Sequence, residues 1–308
     1  MPSFLRTLLL LPILGAAVLA GRATAGSGIS DLEAEIARLG LDRAEIRIGV
    51  QVVMEGRGVL LDREPAVSRS AASAIKTAVA LDLLGSHNRQ LDEVPQGLES
   101  LLQPGVHPAM AGFTVAELSR CRGVLAGKTY RELVRIMMGR TSATNETYNA
   151  ACNVIMIKLG GPEAITRRLH DLDPAFQGIV IDRYMQHWNG DGDNRATPEA
   201  LVALYRMTAS GTVPGLGPAE VDELRDLLFD PEVRGGRVFE KEGTLFPRPM
   251  VRVRAGYVER PEGRLVYAVM GEVLDTGTTP SADLFLRLMN GVDAVAVHCR
   301  SLSLARTR

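Results

Sequence analysis

Apolar and polar residues alternate with a period of two in two parts of the chain, as they do in β-strands with one buried face. In the first part, residues 45–53 alternate and are rich in β-branched side chains, residues 55–58 form a glycine-containing turn, and residues 59–61 are apolar. This order predicts a β-hairpin. In the second part, near the end of the chain, three strands are predicted at residues 236–245, 251–259 and 264–273.

Between these two parts the apolar residues recur every three or four positions, which is the period of an amphipathic helix. The helices predicted there lie at residues 73–87, 114–121, 129–139, 146–159, 162–170 and 197–209. A capped helix at 30–40 precedes the first strand and a helix at 280–290 follows the last one. The middle of the chain is therefore expected to be all-helical.

The two strand groups are expected to join in one antiparallel sheet, because an isolated hairpin is only marginally stable in water. The resulting prediction is an α/β (α+β) fold, with an antiparallel sheet flanked by helices and an all-helical domain inserted into it. Residues 26–71 and 212–308 would form the sheet domain, and residues 72–211 the helical domain. A cleft between two such domains is the expected place for a functional site.

The first 25 residues differ from the rest of the chain. Arg6 is the single positive charge ahead of an apolar run at 8–20, and Ala23-Thr24-Ala25 supplies the small residues of a cleavage site. This pattern predicts a secretory signal peptide that is cut after Ala25, with the mature protein periplasmic or secreted. An uncleaved anchor is the alternative. The remainder of the chain has no apolar stretch long enough to span a bilayer.

Composition excludes some functions and leaves others open. The 308 residues are 46% hydrophobic and 23% charged, as in ordinary globular proteins, and a net charge of −1 gives no electrostatic reason to expect nucleic acid as a partner. The three cysteines, Cys121, Cys152 and Cys299, lack metal-ligand spacing. One disulfide is possible in an oxidising compartment, but its pairing stays open and one cysteine is left over in a monomer.

The strongest chemical signal is Ser73-Ala74-Ile75-Lys76, which leads into an apolar helical run. Residues three apart lie on the same face of a helix, so the lysine can reach the serine hydroxyl. A desolvated lysine amine can take the proton of a serine and activate it as a nucleophile. Lysine occurs at only four positions among 35 Lys and Arg residues, and arginine cannot act as a base. A surface lysine on a helix is the alternative interpretation.

Two later segments extend this signal: Thr147-Tyr148-Asn149 in a helical stretch and Lys241-Glu242-Gly243-Thr244 on the first late strand. With these elements the chain resembles the penicillin-recognising serine hydrolases, namely class A β-lactamases and related penicillin-binding D-Ala-D-Ala peptidases. That family uses Ser-x-x-Lys, then Ser-Asp-Asn, then Lys-Thr-Gly. The segment 254–256, Arg-Ala-Gly, competes for the third element, but only Lys241 leaves two further strands behind it.

The resemblance implies catalytic roles for four residues. Ser73 would be the nucleophile and Lys76 the amine that deprotonates it. Thr147 would relay a proton to the leaving nitrogen, and Lys241 would lower the barrier to that transfer. Asn149 would hydrogen-bond the substrate amide. Neither a metal nor an organic cofactor is implied.

The resemblance also implies a substrate-binding strand. The backbone N–H groups of Ser73 and Thr244 would form an oxyanion hole, next to Gly243. Arg252 and Arg254 lie two residues apart on the neighbouring strand and therefore share one face, from which one of them could reach a substrate carboxylate. A solvated strand face is the alternative for these arginines.

Three residues depart from the family pattern. Tyr148 replaces the acidic middle residue of the second motif. Glu242 replaces a small hydroxyl residue and would repel a substrate carboxylate, unless it pairs with Lys241 or an arginine. Met185 stands in the loop 182–189 where the family has the glutamate that activates the deacylating water. Asp191, Asp193 and His187 are the other candidates for that base.

The sequence therefore predicts an exported, monomeric serine hydrolase that acts on amide bonds of a β-lactam or a peptidoglycan-type D-amino-acid peptide. It is expected to form the Ser73 acyl-enzyme more readily than it releases it, because methionine cannot activate water. Two alternatives remain. One is a catalytically impaired protein of the same fold that binds peptidoglycan or a partner, and the other is an esterase that uses the same site.

Overall fold

The computed structural model describes residues 29–187, 192–231, 236–246, 249–261, 263–274 and 281–302. The helices of this part of the chain are α1 (Ile29–Arg38), α2 (Lys76–His87), α3 (Leu98–Leu101), α4 (Val115–Leu125), α5 (Tyr130–Met137), α6 (Asn145–Lys158), α7 (Pro162–Leu172), α8 (Pro198–Ser210), α9 (Pro218–Leu228) and α10 (Ala282–Ser301). The strands are β1 (Ile46–Met54), β2 (Gly58–Arg63), β3 (Arg69–Ser70), β4 (Arg195–Ala196), β5 (Phe229–Asp230), β6 (Arg237–Leu245), β7 (Met250–Arg260) and β8 (Gly263–Val273).

One six-stranded antiparallel sheet joins both strand groups, in the order β2-β1-β8-β7-β6-β5. The junction is the pairing of β1 with β8, in which Val50 lies opposite Val269. The predicted fold class is thereby confirmed. Strands β3 and β4 form a separate two-stranded ladder next to the start of the helical region.

Alternate residues of the sheet supply two different apolar cores. On one face, side chains such as Val50 and Val269 pack with α1 and α10. On the other face, side chains such as Val253 and Ala268 belong to the large core that includes the helical region. This alternation follows from the period of two in a strand, and it places the sheet between α10 and the helices.

The structure differs from the sequence prediction at four helices, of which the short α3 was not predicted. Helix α9 was not predicted, and α10 continues to Ser301, well past residue 290. The segment predicted as a helix from residue 73 begins instead with a 3₁₀ turn, Ala72–Ile75, and the α-helix starts at Lys76. Ser73 therefore lies in a tight turn between β3 and α2.

The three cysteines are free and buried, so the disulfide that the sequence allowed does not form. No helix in the described ranges is long and apolar enough to cross a membrane. The predicted signal peptide falls on residues 1–25, outside the described part of the chain. Cleavage after Ala25 and the two-domain boundaries stay predictions.

Candidate active site

Ser73 lies at the wall of a cleft of about 710 Å³ between β6 and the helical region. The residue before it, Ala72, has a φ of +47°, a left-handed conformation that is uncommon for a residue with a side chain. Strain of this kind persists where the surroundings hold it in place, as often happens at functional sites. The backbone of this turn is thus fixed in a conformation that presents Ser73 at the cleft.

Gly243 on β6 holds the strand against that turn. A Cβ atom at this position would lie 2.7 Å from the Ala71 carbonyl oxygen and 2.9 Å from the Ser73 backbone nitrogen. Carbon atoms do not approach backbone atoms this closely, so only glycine allows β6 to lie this near to the turn. The predicted neighbours Gly243 and Ser73 are therefore brought together by direct backbone packing.

Lys76 is buried at the base of the cleft, with only 2% of its surface exposed. Its Nζ donates a hydrogen bond to Asn149 Oδ1 on α6 at 2.9 Å. Burial lowers the pKa of Lys76 to about 7; Cys152 opposes the shift and the nearby Lys241 adds to it. A lysine in this state is half deprotonated at neutral pH and can accept a proton.

Lys241 lines the same cleft from the opposite side, on β6. Its Nζ donates to the Glu242 carbonyl oxygen at 3.2 Å. Burial lowers the pKa of Lys241 to about 8, against the attraction of Glu242 and helped by Arg140 among neighbouring arginines. Two amines with depressed pKa values thus share the cleft with Ser73, and Lys241 keeps its proton to a higher pH than Lys76.

Thr147 does not line the cleft with the other predicted catalytic residues. Only 2% of it is exposed, and its hydroxyl lies 3.1 Å from Thr144 Oγ1 and 3.8 Å from Cys121 Sγ. Helix α6 is capped by Thr144, whose hydroxyl also accepts from the Thr147 backbone N–H. The cleft wall is instead formed by Asn145 and Tyr148. The relay role of Thr147 therefore stays a prediction without a direct path to the cleft.

Glu242 and the two arginines of β7 form a cluster beside the cleft. Glu242 Oε2 lies 2.7 Å from Arg252 Nη2 and 2.9 Å from Arg254 Nη1. Arg252 also donates through Nε and Nη2 to both carboxylate oxygens of Asp293 on α10, at 2.8 and 2.9 Å, and through Nη1 to Thr244 Oγ1 at 2.8 Å. The arginines are therefore bound by carboxylates of the chain itself, and do not form a solvated strand face.

The arginines decide the charge state of Glu242. Burial by itself raises the pKa of this carboxyl, but the attraction of Arg252, Arg254 and Lys241 outweighs it and holds the pKa below its usual value. Glu242 is consequently an anion at neutral pH. The pairing with an arginine that the sequence allowed as an alternative is the one that the structure contains.

The loop 181–187 contributes no side chain to the cleft wall. Met185 is 5% exposed; its backbone N–H donates to Asn153 Oδ1 at 2.7 Å and its carbonyl accepts from Asn153 Nδ2 at 3.0 Å. The Met185 sulfur lies 3.7 Å from Asn194 Nδ2. Asparagine side chains thus fix the loop, while its thioether offers no base.

The other candidate bases of this region are engaged elsewhere. Asp193 accepts a hydrogen bond from Arg183 Nη2 at 2.7 Å, and His187 Nδ1 lies 3.1 Å from the Pro108 carbonyl oxygen. Asp191 falls outside the described residues. None of the described residues among them lines the cleft with Ser73.

Several cleft residues were not predicted from the sequence. They lie at the end of α5 and just after it, at the start of α6, and on β5 and β6: Met137, Met138, Gly139, Arg140, Asn145, Tyr148, Asp230 and Glu240. Glu240 was open to prediction, because it precedes Glu242 by two positions on one strand and must share its face. Tyr148 lies within the second motif, and the others reach the cleft through tertiary packing, which no local pattern signals.

No protein-family model and no curated protein matches the chain. Solved structures do match. A β-lactamase from Sphaerobacter thermophilus has a TM-score of 0.63 at 18% identity, over 90% of this chain and 99% of its own. PBP-A has a TM-score of 0.64 at 17% identity, over 90% and 98% of the two chains.

A variant of the class A β-lactamase of the last common ancestor of Gram-negative bacteria is similar to the same extent. Its TM-score is 0.64 at 19% identity, and the match covers 90% of this chain and all of the other. Likeness at such low identity establishes the fold and leaves the activity to be argued from the site. The chain therefore has the fold of the β-lactamase and penicillin-binding serine hydrolase superfamily.

Proposed function

We propose that the protein is a serine hydrolase that attacks amide bonds and forms an acyl-enzyme on Ser73. The observation that carries the proposal is Lys76, a buried amine in the Ser73 cleft with a pKa of about 7. Its hydrogen bond to Asn149 fixes the amine, and a lysine that served only solubility would lie in water instead. Shifted pKa values that cluster in a cleft are typical of catalytic groups.

In the proposed acylation, neutral Lys76 accepts the proton of the Ser73 hydroxyl while Ser73 Oγ attacks the carbonyl carbon. The developing oxyanion would be bound by the backbone N–H groups of Ser73 and Thr244, each contributing about 3 kcal/mol in the transition state. When the amide bond breaks, the proton passes from Lys76 to the leaving nitrogen and the acyl group stays on Ser73. Lys241, still protonated, would stabilise the negative charge electrostatically.

Release of the acyl group is proposed to be the slow step. Hydrolysis needs a water molecule and a base beside the ester carbonyl. Met185 stands at the position of the expected glutamate, and the loop 181–187 places no side chain in the cleft wall. Glu240 and Glu242 do line the cleft, but arginines hold both carboxylates.

The proposed substrates are a β-lactam or a peptidoglycan-type D-amino-acid peptide. Strand β5 pairs with β6 only at Phe239 and Val238, so within the described residues the edge of β6 from residue 240 to 245 has no strand partner. Such an edge binds an extended chain through backbone hydrogen bonds. A PBP-A variant has been solved as an acyl-enzyme complex with penicillin G, which supports the proposal by analogy. Export by the 25-residue signal peptide and a monomeric state complete the proposal.

The proposal is tested by incubating the mature protein with a fluorescent penicillin and measuring its intact mass, with Ser73→Ala as the control. A long-lived adduct that requires Ser73 is the expected result. Turnover without an adduct would show an efficient base for deacylation. No adduct and no turnover with esters, amides and D-amino-acid peptides would overturn the proposal. That outcome would favour the alternative of a binding protein. Met185 and Glu242, which depart from the family pattern, are consistent with that alternative.

A further inference from the structure

The residues around Glu242 lie together on the α10 side of the sheet. In the ladder of β6 with β7, Glu242 is directly opposite Arg254, and Thr244 is directly opposite Arg252. Directly opposed residues of antiparallel strands point to the same face. Asp293 reaches the same cluster from α10. Backbone pairing therefore fixes these positions, so the cluster is not a chance encounter of mobile surface chains.

The arginines differ from Glu242 in exposure. The side chains of Arg252 and Arg254 are only 6% and 16% exposed, whereas that of Glu242 is 51% exposed and lines the cleft. A carboxylate held by two buried arginines occupies the position where an incoming anion would find its charge partners. Glu242 and Arg254 both line the cleft, and the Glu242 carboxylate lies within ion-pair distance of both arginines.

The charges of this part of the cleft nearly cancel. Four cations and three carboxylates are connected among the described residues: Lys241, Arg252, Arg254, Arg300, Glu240, Glu242 and Asp293. Removal of Glu242 leaves an excess of two positive charges instead of one. The chain thus supplies the anion that would otherwise have to come from a ligand.

We infer that Glu242 occupies the position beside Arg252 and Arg254 that a ligand anion would otherwise fill, so that the protein prefers acyl donors whose group at that position carries no negative charge. A ligand carboxylate would have to displace Glu242 from both arginines or lie beside it, and like charges side by side are strongly unfavourable. A carboxyl group blocked as an ester or amide meets no such repulsion. This inference rests on the proposed acylation of Ser73.

The first test compares benzylpenicillin with its methyl ester, which lacks the charge. We expect Glu242→Gln to raise the ratio of acid to ester acylation rates by about tenfold or more, because the repulsion is removed and the arginines are freed. Rates are measured from the intact mass of the Ser73 adduct over time. The matched control is Glu55→Gln. Glu55 lies on the β1–β2 turn, and its carboxylate is also paired with an arginine, Arg264 of β8. An unchanged ratio in Glu242→Gln would overturn the inference.

The second test separates this inference from the proposed function. Both ligands are titrated by calorimetry against Ser73→Ala and against the double variant with Glu242→Gln, so that no acylation is required. We expect the ester to bind more tightly than the acid only while Glu242 is present, and equal preference in both variants would overturn the inference. If neither ligand acylates the wild type, the proposed function fails, while the binding ratio still decides the role of Glu242.

The third test uses inorganic sulfate as a simple anion. At constant ionic strength, sulfate should raise the melting temperature of Glu242→Gln more than that of the wild type, because an anion that binds the folded state stabilises it. The general salting effect of sulfate is subtracted with Glu55→Gln. Equal sulfate dependence in all three proteins would mean that Glu242 covers no anion site.

Discussion

The Ser73 side of the cleft and the loop 181–187 both include buried polar groups, such as Lys76 and Arg183, but their polar groups have different contacts. Around Ser73, two amines with pKa values of about 7 and 8 line one cavity. At the loop, the side-chain amides of Asn153 on α6 and of Asn194 form hydrogen bonds with the loop backbone, and Asn194 also contacts the Met185 sulfur. Amines with shifted pKa values in a cleft are typical of proton transfer. Side-chain amides that form hydrogen bonds with the backbone fix the conformation of the loop instead.

This difference bears on the two steps of a serine hydrolase reaction, which are acylation of the serine and hydrolysis of the acyl-enzyme. Lys76 and Lys241 line the cleft with Ser73, while the loop 181–187, from which the resemblance leads us to expect a water-activating base, places no side chain in the cleft wall. A protein built this way is expected to retain its acyl group.

The largest expected effect comes from Lys76→Arg. Arginine keeps the charge but cannot give up its proton, so acylation of Ser73 should fall by about a thousandfold, as for loss of a general base. Lys128→Arg, on a surface lysine paired with Glu132, is the matched control. The rate is followed by intact mass with a fluorescent penicillin. Acylation within tenfold of the wild type would remove Lys76 from the mechanism.

The pH dependence should be the next largest effect. Acylation needs Lys76 without its proton and Lys241 with it, so the rate should rise through about pH 7 and fall above about pH 8. At about pH 5 it should be roughly a hundredfold below its maximum, since each pH unit below the pKa removes nine-tenths of the neutral amine. A rate that does not change between about pH 5 and about pH 7 contradicts the assignment.

Under the proposed function, Met185→Glu should introduce a base for deacylation into the loop 181–187. We expect the lifetime of the acyl-enzyme to shorten by about ten- to a hundredfold, since a general base contributes about that much or more. Met185→Gln is the control, because it introduces a polar group of the same length without a base. The lifetime is measured by chasing the fluorescent adduct. Equal lifetimes in the two variants would show that the loop cannot serve deacylation from this position.

Gly243→Ala tests the close approach of β6 to the nucleophile turn. The added methyl group would meet the backbone of Ala71 and Ser73, so β6 must shift, at a cost of about 1–3 kcal/mol in the free energy of unfolding. Acylation should drop by about tenfold because misplacement by a fraction of an ångström weakens catalysis. Gly123→Ala, a helical position with open space around it, is the control in thermal unfolding. Unchanged stability and rate would mean that the strand adjusts freely.

Thr147→Val should have the smallest effect. Its hydroxyl contacts Thr144 and Cys121 instead of the cleft, so acylation should change by less than about threefold, with a loss of stability of about 1 kcal/mol for the hydrogen bond. Tyr148→Phe is the comparison, because Tyr148 lines the cleft. A large loss of acylation in Thr147→Val with an unaffected fold would restore the relay role that the motif implies.

Periodicity alone predicted most of the sheet, because each of its long strands alternates apolar and polar residues or is flanked by a turn. The single antiparallel sheet was also predictable, since neither strand group is stable alone. Helix α10 was predicted too short. Gly291 interrupts its helical pattern, and the structure shows that this glycine lets Leu41 pack against the helix, where a Cβ would lie 2.6 Å from Leu41 Cδ2.

The site was only partly predictable. The Lys76–Asn149 contact follows from motifs that the resemblance places together. The orientation of Thr147 depends instead on the cap at Thr144, which starts α6 early enough to turn that hydroxyl inward. The link from Arg252 to Asp293 joins residues 41 positions apart through tertiary packing. Such a contact depends on how α10 crosses the sheet, which no local pattern specifies.

The pairing of β1 with β8 has a consequence for how the protein folds. Residues 46–54 pair with the adjacent β2 on one side and with residues 265–273 on the other, so the centre of the sheet closes a loop of more than 200 residues. Long loops close slowly, and contacts far apart in sequence delay folding. The large core contains sheet residues such as Val253 and Ala268 besides those of the helices, so it is complete only once β7 and β8 have joined the sheet. A chain that ends before β8 would therefore lack part of this core as well as the strand that joins β1 to β7.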